Sequence, residues 1–139
     1  MKETDDAARN PLVLVVDDSA SIRSSTQRLL RSFGFRSEAF ASAQEFLASP
    51  LLQECGCLIL DVRMPRMDGL ELQRQLAEAH SHLPIIFFTA HGNREEQERA
   101  MRAGAIAFLH KPVVAEKLLG AVQGALQDRQ RDVEGGEQT

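Results

Sequence analysis

The chain has 139 residues, of which 43% are hydrophobic and 26% charged, and its formal net charge is −4. This length suits one domain, and the composition is that of a globular protein. Since the net charge is negative, the chain lacks the positive field that attracts nucleic acid, and direct DNA binding is not expected. No apolar stretch approaches the roughly 20 residues that span a bilayer, and residues 1–10 lack a signal-peptide core. These features predict a cytoplasmic protein with a flexible N-terminus.

Strand-like and helix-like segments alternate five times between Leu12 and Leu126. The predicted strands are Leu12–Val16, Arg36–Phe40, Cys57–Leu60, Ile85–Thr89 and Ala105–Leu109. The first, third and fourth are almost continuously apolar, which is typical of parallel strands covered by helices on both faces. The alternation predicts a doubly wound α/β fold with five parallel strands and five helices. In such folds the ligand site lies at the carboxyl ends of the strands.

Apolar periodicity and capping residues predict the first two helices. The inner face of the first helix is marked by Ile22, Leu29, Leu30 and Phe33. Gly34 follows it, at a point where a left-handed residue often ends a helix. Ser42 and Glu45 form a capping-box pattern at the start of the second helix, and Pro50 closes it.

Similar signals predict the remaining helices. Asp68 begins the third helix, Asn93 begins the fourth and Gly104 ends it. The fifth follows Pro112, and residues 128–139 are predicted to be a polar tail or the start of a linker. The predicted inward residues are Leu72, Leu76 and Ala79 in the third helix, Ala100 and Met101 in the fourth, and Leu118, Val122, Ala125 and Leu126 in the fifth.

Charged and hydroxyl groups stand at or just beyond the ends of the predicted strands. They are Asp17, Asp18, Asp61, Thr89 and Lys111. Because parallel strands end at a common edge, these groups are expected to lie together. Carboxylates crowded at one point must protonate, separate or recruit a cation. Oxygen ligands on an open edge suit Mg²⁺, whereas zinc and copper favour His or Cys.

The same groups are sufficient for phosphoryl transfer, which needs mainly positioning and charge neutralisation. Asp61 is the expected nucleophile, while Thr89 and Lys111 would hold the oxygens of the phosphoryl group. A single Asp after a strand is usually a turn or cap residue, and a Lys before Pro is usually solvated. The prediction therefore depends on the whole set and its spacing along the chain.

At these residues the sequence resembles the receiver domains of two-component response regulators. The resemblance covers about residues 11–127 and is carried by LVLVVDDS, LILDVRMPRMDGLEL, IIFFTAHG and AGAIAFLHKP. It implies a flavodoxin-like sheet with strand order 2-1-3-4-5. It also implies a signalling switch in which Asp61 accepts a phosphoryl group from a phosphohistidine of a sensor histidine kinase. The chemistry of the chain itself would be limited to self-phosphorylation and self-dephosphorylation.

The resemblance also assigns the metal site and the switch. Asp17, Asp18, Asp61 and the backbone carbonyl of Arg63 are the implied ligands of Mg²⁺. The implied switch residues are Thr89, which moves to the phosphoryl group, Phe108, which swings inward, and Pro112, which follows Lys111 through a cis peptide bond. Partner binding would then change on the face formed by the fourth helix, the fifth strand and the fifth helix.

Many receivers carry Tyr at the position of Phe108, so a signalling step that requires a phenol hydroxyl is in doubt here. The alternative is that Phe108 is a fixed core side chain. The RMPRMDG and TAHG segments resemble the subfamily joined to a helix-turn-helix DNA-binding output domain, which implies transcription regulation through a domain outside this chain. A phosphorylation-dependent homodimer through the fourth and fifth helices is a further hypothesis.

Two other functions remain open from the residues. A hydrolase of the aspartyl-phosphate type could use the same nucleophile and metal, but it would need a general acid beside Asp61. A pseudo-receiver would keep the fold and bind partners without ever accepting a phosphoryl group. The complete acidic set favours the phosphorylated switch over both.

The remaining His and Cys residues carry weaker signals. His80 and His82 lie near a helix C-terminus, where cations are favourable, and are interpreted as structural. His91 either lines the phosphorylation pocket or is exposed. Cys55 and Cys57 are expected to be free thiols, with Cys57 a small apolar residue that opens a buried strand.

Overall fold

A computed structural model describes residues 11–79 and 82–138, with side chains as far as residue 127. The predicted N-terminal segment 1–10 lies outside the described residues. The strands are β1 (Leu12–Val16), β2 (Arg36–Phe40), β3 (Cys55–Leu60), β4 (Ile85–Thr89) and β5 (Ala107–His110). All pairings are parallel, in the order β2-β1-β3-β4-β5, which confirms the doubly wound sheet.

Helices connect successive strands and cover both faces of the sheet. They are α1 (Ala20–Ser32), α2 (Ala43–Ala48), α3 (Gly69–Glu78), α4 (Arg94–Arg102) and α5 (Ala115–Gln138), with a short 3₁₀ helix at Pro50–Glu54. Within the described residues, no helix combines the length and apolar character needed to cross a bilayer.

Helix starts follow the predicted capping residues. The Asp68 side chain accepts the Glu71 N–H, and Asn93 forms a reciprocal capping box with Glu96. At α2, Ser42 accepts the Glu45 N–H as expected. The Glu45 carboxylate, however, accepts the N–H of Ala41 instead of that of Ser42, at 3.3 Å. The predicted reciprocal bond at this helix is therefore displaced by one residue.

The core consists of two apolar layers, one on each face of the sheet. Alternate residues of β1 contribute to opposite layers, because side chains alternate along a strand. Val13 and Val15 pack with α1 and α5, and Leu14 packs with α2 and α3. The residues of α1 and α5 in the first layer are Ile22, Leu29, Leu30, Leu118, Leu119, Ala121, Val122, Ala125 and Leu126. Burial on both faces explains why the central strands are apolar throughout.

Three residues predicted to face inward are exposed. Phe33 is 58% exposed because α1 ends at Ser32 and Gly34, with φ 90°, redirects the chain so that Phe35 reaches the core instead. Ala79 is exposed because it is the C-terminal cap of α3. Met101 is 41% exposed, since Ala100 occupies the buried face of α4 and the next residue points about 100° away.

Three element boundaries differ from the prediction. Strand β3 begins at Cys55 instead of Cys57, and its pairing with β1 is irregular at Gly56, a residue type that weakens strand signals. Strand β5 is shifted to Ala107–His110. Helix α5 continues beyond Leu126 to Gln138 because the polar residues there include good helix formers and no proline. Whether residues 128–139 lead to another domain stays a prediction.

Both cysteines are buried thiols and do not form a disulfide. The Cys55 thiol donates to the Cys57 carbonyl at 3.2 Å. Burial raises the pKa of the Cys57 thiol far above its usual value, and the neighbouring Cys55 adds to the effect. Cys57 is therefore a neutral, packed side chain.

Candidate functional site

Three aspartates meet at the carboxyl ends of β1 and β3. The strand ladder continues one residue past each strand, because the Asp17 N–H donates to Phe40 O at 3.1 Å and the Asp61 N–H donates to Val16 O at 3.0 Å. One carboxylate oxygen from each of Asp17, Asp18 and Asp61 lies within 4.8 Å of the others. Asp17 and Asp61 are buried, whereas Asp18 is exposed. The site therefore has an inner wall and one residue open to solvent.

Lys111 is placed beside the aspartates by the β4–β5 ladder. Its N–H donates to the Thr89 carbonyl at 2.8 Å, one residue beyond β5. Its ammonium donates to Asp17 Oδ2 at 2.6 Å and lies 3.7 Å from Asp61 Oδ2. The same ammonium lies over the Phe88 ring, with Nζ 5.2 Å from the ring centroid. The Lys111–Pro112 peptide is cis, which confirms that expectation.

Asp61 sits in an environment that penalises its charge. Burial raises its pKa above the usual aspartate value, and the Asp17 carboxylate acts in the same direction. Hydrogen bonds from the Thr89 hydroxyl and the Arg63 N–H, together with the Lys111 charge, oppose these effects without cancelling them. A divalent cation at the cluster would remove the repulsion between Asp17 and Asp61, so these residues fit a hard cation.

The aspartates and Lys111 border a pocket of about 780 Å³ that continues between α1 and α5. Arg63 and His91 also line this pocket, together with the apolar side chains of Ile22, Leu29 and Leu118. His91 is exposed and also lines the pocket, so the two alternatives predicted for it from the sequence hold together. His82 is exposed, and its predicted neighbour His80 lies outside the described residues.

A family model of the response regulator receiver domain matches residues 13–123. The chain belongs to this family. A receiver domain is a phosphorylation-activated switch of two-component signalling, and receivers bind Mg²⁺ at their acidic pocket. The resemblance noted from the four sequence motifs is therefore confirmed at the level of the family.

Two curated relatives resemble this receiver over part of their own length. It is 44% identical over 119 residues to the response regulator protein TodT of Pseudomonas putida, covering 86% of this chain and 52% of TodT. It is 44% identical over 127 residues to nodulation protein W of Bradyrhizobium diazoefficiens, covering 91% of this chain and 56% of that protein. The receiver thus spans about half the length of the curated relatives it matches.

Solved structures share the same fold. The response regulator StyR superposes with a TM-score of 0.82 at 45% identity, covering 93% of this chain and 67% of the StyR chain. The structure of FixJ-N superposes with a TM-score of 0.77 at 34% identity, covering 86% of this chain and 95% of the FixJ-N chain. These similarities agree with the strand order predicted from the sequence.

Two of the three implied switch residues of the receiver, Thr89 and Phe108, are packed inside. Thr89 is fully buried, and its hydroxyl accepts the His91 N–H at 3.3 Å. Phe108 is 8% exposed and lies 5.7 Å from Phe87 between ring centroids. A Cβ on Gly92 would stand 2.4 Å from the Phe108 ring, so the loop after β4 closes over the ring only because residue 92 is glycine. This position fits both a switch and a fixed core residue.

Sequence reasoning missed two arginine contacts near the aspartates of the receiver. The Arg63 guanidinium donates to Glu96 at 2.8 Å and to the His91 carbonyl at 3.3 Å. Arg23 of α1 donates to the Asp17 carbonyl at 2.7 Å and helps to position it. No local pattern could reveal the Arg63 pair, because its partner is 33 residues away.

Proposed function

We propose that this receiver accepts a phosphoryl group on Asp61 from a phosphohistidine of a sensor histidine kinase. The observation that carries the proposal is the convergence of Asp17, Asp18 and Asp61 within 4.8 Å, with the Lys111 ammonium at their inner side. Burial of Asp17 and Asp61 gives the site a fixed geometry, and exposure of Asp18 leaves it open to a phosphodonor.

In the proposed reaction an Asp61 carboxylate oxygen forms a bond to phosphorus. The bond between phosphorus and the imidazole nitrogen breaks, and its electron pair stays on the imidazole, which then takes up a proton. Lys111 and the Thr89 hydroxyl bind oxygens of the transferred group. A Mg²⁺ ion held by Asp17, Asp18, Asp61 and the Arg63 carbonyl would supply the remaining neutralisation of charge. Water later attacks the phosphorus, the bond from phosphorus to the Asp61 oxygen breaks, and inorganic phosphate leaves while the carboxylate is restored.

The proposal includes the partners expected of such a switch. Phosphorylation changes the face formed by α4, β5 and α5 through Thr89 and Phe108, and this face then binds a second copy or an output domain. An output domain that binds DNA is proposed as the partner because the relative FixJ of Bradyrhizobium diazoefficiens, 37% identical over 115 residues, is named a transcriptional regulatory protein. A cytoplasmic location and a role in transcription regulation belong to the same proposal.

Acetyl phosphate with Mg²⁺ tests the proposal on the purified chain. We expect the intact mass to increase by one phosphoryl group, and Asp61→Asn to abolish the increase. Asp68→Asn is the matched control, because Asn caps a helix as well as Asp and residue 68 serves only as the cap of α3.

Two results would contradict the proposal. An unchanged mass of the folded wild-type chain would favour the pseudo-receiver. Continued consumption of acetyl phosphate over many turnovers at saturating donor, without accumulation of phosphoprotein, would favour the hydrolase.

A further inference from the structure

One arginine side chain connects the phosphorylation pocket to α4. Arg63 lies two residues after Asp61 and lines the same pocket. Its Nη2 atom donates to Glu96 Oε1 at 2.8 Å and to the His91 carbonyl at 3.3 Å. Glu96 belongs to the first turn of α4, and His91 belongs to the loop after β4. The loop after β3 is therefore tied to the start of α4 by a single guanidinium.

Glu96 has a second function in the same place. Its Oε1 atom also accepts the Asn93 N–H at 3.0 Å, while the Glu96 N–H donates to Asn93 Oδ1 at 2.8 Å. Arg63 thus bonds to the very oxygen that closes the capping box of α4. The Arg63 side chain is 50% exposed and that of Glu96 is 19% exposed. Ion pairs exposed to this extent are weak, so a stronger anion can displace Glu96.

A phosphoryl group on Asp61 would be such an anion. It replaces a carboxylate of one negative charge by a group of about −1.5 to −2. Among the described residues that line the pocket, Lys111 and Arg63 are the two with a permanent positive charge, and Lys111 is already bonded to Asp17 at 2.6 Å. Guanidinium groups form strong, directed hydrogen bonds to phosphate oxygens.

We propose that Arg63 exchanges partners on phosphorylation. Its guanidinium leaves Glu96 and the His91 carbonyl and binds the phosphoryl group on Asp61, which releases the start of α4 from the loop after β3. This inference rests on the proposed function, because it requires an anion at Asp61. It assigns to the Arg63 side chain a role separate from that of its backbone carbonyl. It also gives phosphorylation a route to α4 that does not pass through Phe108.

Beryllofluoride, a phosphoryl mimic, tests the exchange by calorimetric titration in the presence of Mg²⁺. Glu96→Gln keeps an oxygen that can cap α4 but removes the charge that competes for Arg63. We expect this variant to bind beryllofluoride about threefold more tightly, the factor that a weak surface pair is worth. Glu98→Gln is the matched control, because Glu98 pairs with Arg94 at 3.5 Å on the exposed side of the same helix.

A double-mutant cycle completes the test. Arg63→Gln alone should weaken binding by about tenfold, the effect of one charge-assisted hydrogen bond. Adding Glu96→Gln to Arg63→Gln should then change nothing, because no guanidinium is left to release. Amide hydrogen exchange gives a second readout, in which beryllofluoride should speed exchange in the first turn of α4 in the wild type but not in Arg63→Gln.

The outcomes separate the inference from the function on which it rests. Equal affinities of Glu96→Gln and Glu98→Gln, or a gain from Glu96→Gln that persists without Arg63, would overturn the exchange while leaving phosphorylation of Asp61 intact. Failure of the wild-type chain to bind beryllofluoride with Mg²⁺ would instead overturn the proposed function, and the exchange with it.

Discussion

The contact between Gly69 and Asp61 allows a sharp test of how the nucleophile is positioned. A Cβ on Gly69 would stand 2.2 Å from the Asp61 carbonyl oxygen and 3.1 Å from the Phe87 ring. Real Cβ contacts essentially never fall below 3.0 Å, so the two backbones would have to separate by about 0.8 Å. The Gly69 N–H also donates to the Val62 carbonyl at 2.8 Å, which holds α3 against this segment. The displacement would therefore fall on the residue that carries the nucleophile.

Gly69→Ala should impair both stability and phosphorylation. Forcing a methyl group into a packed contact costs about 1–3 kcal/mol. A misplacement of about 1 Å at a reacting group can lower a rate by about 100-fold. We therefore expect a lower free energy of unfolding in urea and a slowed reaction with acetyl phosphate, measured at a temperature where the variant is still folded.

Gly120→Ala provides the control, since a Cβ on Gly120 in α5 meets nothing within 4 Å. Alanine in a helix interior is favoured over glycine by about 0.5–1 kcal/mol, so this variant should be more stable and should react at the wild-type rate. If Gly69→Ala matched Gly120→Ala in both measurements, the steric argument would be refuted.

Three further predictions concern strain, metal and pH. Arg66 has φ 71°, a left-handed conformation that strains any residue other than glycine. Arg66→Gly should therefore raise the free energy of unfolding in urea by about 1 kcal/mol. A loss of stability would contradict the strain argument. Mg²⁺ at about 100 times its Kd should add about 2.7 kcal/mol of stability, and Asp18→Asn should reduce this gain; equal gains would contradict the metal assignment. Without divalent cations, Asp61→Asn should be more stable than wild type at neutral pH. Burial raises the pKa of Asp61 in the folded state, so the charged carboxylate destabilises the wild type only above that pKa. The difference in free energy of unfolding between Asp61→Asn and wild type should therefore shrink as the pH falls through the folded-state pKa. It should stay constant below the pKa of the unfolded chain, about 3.9. Urea unfolding across this range would contradict the argument if the difference grew towards low pH.

The sheet and the acidic edge could be predicted because both depend on repeated local patterns. Apolar runs identify buried parallel strands, and parallel strands in a doubly wound sheet end at a common edge. Asp17 and Asp61 follow from this rule directly, since each stands one residue past its predicted strand, and Lys111 stands two residues past the predicted end of the fifth strand. The fully buried Thr89 follows in the same way, as the last residue of β4.

Details that depend on tertiary packing could not be predicted in this way. Periodicity placed Phe33 in the core, but the chain reversal at Gly34 decides which aromatic residue enters. The pairing of Arg63 with Glu96 joins the loop after β3 to the first turn of α4, and the distance between these two segments depends on the whole sheet. Capping signals correctly identified Asn93 as the start of α4 but carried no information on what else contacts Glu96.

The most direct measurement is the chemical identification of the phosphorylated residue. Borohydride reduces an aspartyl phosphate to homoserine, which peptide mass spectrometry locates in the chain. After treatment with acetyl phosphate and Mg²⁺, we expect homoserine at position 61 and aspartate retained at positions 17 and 18. Reduction at another carboxylate, or no reduction in a chain that has gained a phosphoryl group, would contradict the assignment of Asp61 as the acceptor.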